Sequence, residues 1–141
     1  MSLPTKLLLE VVTPDRLVVR EDVDEVVVPG SEGELGVLPG HTPLLATLKV
    51  GEMWYRSGTE RHYLAVALGF VEVLPDRVTV LAQVGERAQD IDVARAERAK
   101  QRAEGRIGAT TGADIDLERA RIALMKSLIR LQVATRARVR S

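Results

Sequence analysis

Most of the residues in this 141-residue sequence that could meet a ligand lie in one acidic phrase written twice. It reads "DIDVARAERA" at 90–99 and "DIDLERARIA" at 114–123. Each copy sets an aspartate three residues before an arginine, at a point where a helix would begin. The second aspartate of each, Asp92 and Asp116, is placed as an N-cap. Its carboxylate can accept from the exposed backbone N–H groups and oppose the positive helix terminus. Ile91 and Ile115 then stand just outside, ready to staple onto Ala96 and Ala120. Both copies are therefore expected to be capped helix starts. Whether one of them also holds a ligand is left open by spacing alone.

Other arrangements offer less chemistry. "GSEGELGVLPGH" (30–41) is rich in glycine but lacks the Gly-Lys-Ser/Thr ending of a phosphate loop, and no helix pattern follows it. Its glycines read as turns. The two histidines, His41 and His62, are 21 residues apart with no carboxylate pattern around them, so no metal site is expected. There is no cysteine, hence no disulfide framework or thiol chemistry. No nucleophile elbow is present either, and catalysis by this chain alone is not expected.

The charge distribution is more informative than its zero sum. Residues 1–90 carry 8 Lys/Arg against 14 Asp/Glu, and residues 91–141 carry 12 against 6. The basic excess gathers at the end, in Arg130, Arg136, Arg138 and Arg140. An acidic body with a basic tail implies that the tail meets something negative: nucleic acid, a membrane surface, an acidic protein or its own body. Nucleic acid is the weaker alternative. No aromatic residue lies beyond position 70, so the tail cannot stack on bases. No apolar run approaches a membrane span, and the start lacks the pattern of a signal peptide, so the cytoplasm is the expected compartment.

The elements that must position these groups change period at Gly85. Before it, "KLLLEVV" (6–12), "DEVVVPG" (24–30), "EMWYRSG" (52–58) and "RHYLAVALGFVEVLPDRVTVLAQ" (61–83) read as short strands broken by Gly, Pro or Asp. Pro75-Asp76 is a hairpin turn within the last of these. The expected fold class is α+β: an N-terminal antiparallel β-sandwich, then a C-terminal antiparallel two-helix hairpin. The domains are set at 1–86 and 87–141. The first helix should run from about 92 to 104 and stop at Gly105, leaving 105–113 as a loop. The second should start near 116, with Leu117, Ala120, Leu124, Leu128 and Leu131 as its apolar stripe. The first helix faces it with Val93, Ala96, Ala99 and Ala103. Alanines bury little area, so the hairpin is expected to be loosely held and to move.

"GSEGELGVLPGHTPLL" (30–45), "GFVEVLPDRVTVLAQ" (69–83) and "DIDVARA" (90–96), in that order, resemble the epsilon subunit of bacterial F-type ATP synthases, over essentially the whole chain. The resemblance implies a non-catalytic subunit of the central rotor, peripheral on the cytoplasmic face of the bacterial inner membrane, which it touches only through the complex. The sandwich would contact the gamma subunit and the c-ring through Ser31, Glu32, Glu34 and His41. The hairpin would be the regulator: folded on the sandwich it is permissive, while extended toward the alpha and beta subunits it inhibits ATP hydrolysis. Arg130, Arg136, Arg138 and Arg140 would supply the tail's charge there. No cofactor is required, but ATP is implied as a regulatory ligand of the folded hairpin. Carried across by motif, its site is Glu86, Ile91, Asp92, Arg95, Ala96, Lys126 and Arg130. Lys126 stands where strong binders carry arginine, and a lysine cannot offer a phosphate the same two-pronged contact.

Overall fold

The structure is a computed structural model describing residues 3–109 and 114–140, with side chains described except at 109, 114, 115 and 138–140. Alternation of apolar and polar residues makes the strands. In β1 (Leu7–Val12), Leu7, Leu9 and Val11 point inward, and in β6 (Gly51–Ser57) Met53 and Tyr55 do so. The other strands are β2 (Leu17–Val23), β3 (Glu25–Gly30), β4 (Gly33–Val37), β5 (Leu44–Leu48), β7 (Glu60–Leu74) and β8 (Arg77–Arg87). One continuous core joins the inward residues of these strands, Val71, Val73, Val78 and Val80 among them. Each such side chain contributes about 1.5–3 kcal/mol on burial, so this core carries the stability of the domain. Burial pushes the Tyr55 phenol up to about 12, with the nearby Glu21 charge adding to the effect.

The strand order is β2-β1-β8-β7-β5-β3-β4, with β6 bridging β3 and β7. β7 holds the layers together: it pairs with β8 through Leu64–Leu74, with β6 through Gly51–Ser57 opposite Glu60–Val66, and with β5 through Gly69–Val73. The change of partner falls at Leu68, whose φ is 55°, and at Gly69, which lies directly on the β8 backbone. The Pro75-Asp76 turn is as expected, and its carbonyls accept from the Gly40 and Leu8 N–H groups. The sheet is not wholly antiparallel, however. β1 runs parallel to β8, from Leu8↔Arg77 to Val12↔Leu81. Closure of the sandwich brings these distant strands together, a pairing that no local pattern encodes.

After a single 3₁₀ turn (Ala88–Asp90) come α1 (Val93–Ala109) and α2 (Asp114–Arg140), packed on each other. α1 presents the expected alanines, with Ala96 and Ala103 buried. It does not stop at Gly105. A terminating glycine needs a left-handed conformation, and neither Gly105 nor Gly108 has a positive φ. Half-buried Ile107 carries the helix on to Ala109, so residues 105–109 are not the expected loop; 110–113 lie outside the described residues. A Cβ at Gly105 would meet nothing. Gly105→Ala should therefore raise the thermal midpoint and stabilise α1 by about 1 kcal/mol. A lowered midpoint on thermal unfolding would show that the glycine's freedom is needed there.

α2 differs from expectation at both its start and its stripe. It begins at Asp114, so Asp116 lies inside the first turn and is not the N-cap, although its charge still opposes the positive end. The buried line runs through Ala120, Ser127 and Ala134, seven residues apart, and takes in Val133. Leu117, Leu124 and Leu131 flank that line, half-buried, whereas Leu128 turns away and is 45% exposed. The buried Ser127 hydroxyl donates to the Ala123 carbonyl at 2.9 Å, which removes the cost of placing it there.

Candidate functional site

The first copy of the repeated phrase builds one wall of a cavity. Asp92 is an N-cap: its Oδ1 accepts from the Arg95 N–H at 3.0 Å, and its carbonyl accepts from Ala96 at 3.0 Å. Such a cap is worth about 1 kcal/mol and fixes where Arg95 leaves the helix. Ile91 does not staple onto Ala96. It is buried in a small cluster with Ala65, Ala88, Val133 and Ala134, which pins the helix pair to the sandwich. That cluster is separate from the main core.

The cavity holds about 350 Å³. Val84, Gly85 and Glu86 of β8 form its floor, the β1–β2 turn supplies Thr13, Asp15 and Arg16, and α2 supplies Arg130. A Cβ on Gly85 would press on Thr13 at 3.1 Å, so the glycine keeps the floor low. Four carboxylates (Asp15, Glu86, Asp90 and Asp92) face three guanidiniums (Arg16, Arg95 and Arg130). Arg130 pairs with Glu86 at 2.5 Å, and Arg16 with Asp90 at 3.9 Å. Arg95 has no ion pair among the described residues, and the Arg130 Nε is buried without a hydrogen-bond partner. An anion entering here would meet Arg95 first, and would reach Arg130 only in competition with Glu86.

Five of the seven residues carried across by motif thus line one cavity: Glu86, Asp92, Arg95, Ala96 and Arg130. Ile91 lies in the small cluster, and Lys126 lies in an adjoining crevice with Val50 and Ile129. Thr13, Asp15, Arg16 and Asp90 were not foreseen. Asp90 opens the repeated phrase and was legible as a neighbour. The β1–β2 turn arrives through the parallel β1/β8 pairing, which local sequence does not signal.

Two further regions matter. The Arg136 guanidinium donates twice to Glu52 on β6, at 2.9 and 3.2 Å, and lies over the Tyr63 ring at 5.0 Å. The Glu52 carboxylate raises the Arg136 pKa above its ordinary value. The side chains of Arg138 and Arg140 lie outside the described residues. At the other end, Ser31 and Glu32 form the tip of the β3–β4 hairpin, and with Glu34 they rim an apolar hollow floored by Leu44 and Leu45. His41 stands outside that hollow, its Nδ1 at 2.6 Å from the Thr42 carbonyl. Beside the hollow, Phe70 and Leu81 pair across β7 and β8 with both side chains about half exposed. This apolar row was missed. Among the described residues there is no group of side chains suited to a metal and no helix long and apolar enough to cross a membrane.

Comparison with known proteins matches residues 6–88 to the beta-sandwich domain, and residues 89–135 to the long alpha-helix domain, of the ATP synthase delta/epsilon chain. The chain belongs to the ATP synthase delta/epsilon family. It is 52% identical over 131 residues to ATP synthase epsilon chain 2 of Syntrophotalea carbinolica, covering 93% of this chain and 95% of that one. It is 50% identical over 129 residues to the ATP synthase epsilon chain of Syntrophobacter fumaroxidans, covering 92% and 96%. The same fold occurs in a chain of the Euglena gracilis mitochondrial ATP synthase structure of OSCP, F1 and c-ring, with TM-score 0.78 and 20% identity over 99% of this chain and 84% of that one. A chain from the Tetrahymena thermophila mitochondrial ATP synthase central stalk and c-ring aligns with TM-score 0.58 and 15% identity over 96% and 98%. In the present chain the helix pair lies folded on the sandwich, with α2 against β7 and β6.

Proposed function

We propose that this chain is the epsilon subunit of a bacterial F-type ATP synthase, a rotor component with no active site of its own. The sandwich contacts the gamma subunit and the c-ring, and the helical hairpin restrains ATP hydrolysis when it swings toward the alpha and beta subunits. The chain then sits peripherally on the cytoplasmic face of the membrane. One observation supports the gating reading above others: the hairpin docks through a small cluster separate from the sandwich core. It can leave without opening that core. At about 0.8 kcal/mol per buried methylene, a cluster rich in alanine holds it only modestly. The exposed Phe70 and Leu81, and the hollow between Glu32 and Leu45, supply apolar surface for the rotor contacts. ATP, as a regulatory ligand, occupies the cavity that both parts build and so favours the folded state.

The test uses a matching catalytic core of alpha, beta and gamma subunits with the full chain or a chain ending at Ala88. Both should bind, and only the full chain should slow ATP hydrolysis. If both bind and neither slows it, the hairpin is not the brake. If neither binds, the rotor assignment fails.

A further inference from the structure

Two arginine–carboxylate pairs tie the tail helix to the sandwich among the described residues, and they differ in kind. Arg130–Glu86 lies in the cavity and is exposed to whatever enters it. Arg136–Glu52 lies outside, further along α2, and lines none of the cavity. We propose that Glu52, Arg136 and Tyr63 form a salt-sensitive latch that holds the hairpin down independently of the cavity. The proposal rests on the gating reading and names the contact that sets its resting position.

The local geometry supports a latch more than an incidental surface pair. The guanidinium meets both carboxylate oxygens, a fork that fixes orientation as well as charge. Tyr63 backs it from below, which limits the rotamers Arg136 loses in pairing. The Glu52 side chain is only 15% accessible, which holds the carboxylate in place, while Arg136 at 45% leaves the pair open to screening by salt. It also recovers its water when the helix lifts, which keeps the opened state accessible. Next to it, the apolar docking is mostly alanine and valine. The ion pair therefore supplies a sizeable share of the local hold.

The consequence is exclusive use. Arg136 is one of the tail arginines that would face the catalytic head, and it cannot pair with Glu52 and reach that head at once. Opening the latch and arming the tail are one event.

Native-state hydrogen exchange on the full isolated chain tests this without the ATP synthase. Glu52→Gln and Arg136→Gln should each speed exchange of the amides at 130–137 by roughly threefold to tenfold, as expected for a half-buried forked pair. The double variant should be no faster than the faster single one. Arg136→Lys, which keeps charge but not the fork, should fall between. Raising KCl to about 0.5 M should speed the wild type toward the variants. Core amides such as Val71 and Val80 should not change, which establishes that the variants fold. Effects that add in the double variant, or single variants that exchange like the wild type, would overturn the latch. In the assembled enzyme Glu52→Gln should deepen inhibition, since it frees the tail. A full chain that never inhibits counts against the gating reading and leaves the exchange result standing; inhibition with no coupling in exchange counts against the latch alone.

Discussion

Gly69→Ala is expected to destabilise the sandwich by about 3 kcal/mol or more, which is large against a typical domain stability of ~5–15 kcal/mol. An ideal Cβ at Gly69 would lie 1.9 Å from the Leu81 carbonyl oxygen and 2.9 Å from the Ala82 Cα. Both are backbone atoms of β8, so no rotamer change relieves the clash. The strands must separate where β7 changes partners from β6 to β5. That separation disturbs the ladder that flanks Val71, Val73, Val78 and Val80 at the centre of the core. Overpacking a core commonly costs ~1–3 kcal/mol when side chains can yield, and here only backbone can. Gly36→Ala is the control: a Cβ there meets nothing and its φ is not positive, so the change should be neutral or slightly stabilising. Urea unfolding of both variants decides the matter. A Gly69→Ala midpoint close to the Gly36→Ala one would show that β7 and β8 have slack that the close approach conceals.

The same segment illustrates what could be read in advance. In "GFVEVL" (69–74) the alternation that sends Val71 and Val73 inward must send Phe70 and Glu72 outward, so the exposure of Phe70 follows from the sequence. Strands with clean alternation, β1 and β6, appear where expected. β4 lies within the glycine-rich stretch that reads as turns, and β5 follows just after it; each buries only its last residue, Val37 or Leu48, and so carries little pattern. The helices show a different limit. Gly105 resembles a stop signal, yet tertiary packing of α1 on α2 overrides a local cost of only about 1 kcal/mol. Leu128 fits a leucine stripe by spacing, but the packed face follows small residues, Ala120, Ser127 and Ala134, because helix must approach helix closely. In the cavity, Glu86, Asp92, Arg95, Ala96 and Arg130 follow from the family resemblance. Thr13, Asp15 and Arg16 do not, since their place depends on a parallel pairing between the first and last strands.

Arg95→Ala should weaken ATP binding to the isolated chain by roughly 10-fold to 100-fold, the range set by losing a charge-assisted contact worth about 1.5–3 kcal/mol. The choice of Arg95 follows from the pairing in the cavity. Arg130 and Arg16 already face carboxylates at 2.5 and 3.9 Å, whereas Arg95 has no ion pair among the described residues. It is therefore the guanidinium that a phosphate can engage without breaking an existing bond. Its removal leaves the Asp92 cap intact, because the cap uses the Arg95 backbone N–H. Arg130→Ala is a less clean probe, since it would also strand the Glu86 carboxylate. Lys126 gives an independent discrimination. It lines the adjoining crevice and not the cavity, so Lys126→Arg should change affinity by less than about threefold, the scale of an exposed charge contact. Four carboxylates against three guanidiniums make the cavity a weak host for a polyphosphate, and wild-type affinity is expected in the millimolar range, ~4 kcal/mol. Titration followed by calorimetry, with protection of α2 amides measured in parallel, reads both affinity and coupling. A ligand that bridges β8, α1 and α2 must slow hairpin opening in proportion to its occupancy. Saturable binding without added protection would separate the nucleotide from the switch, and no saturable signal at millimolar ATP would remove the nucleotide from this cavity altogether.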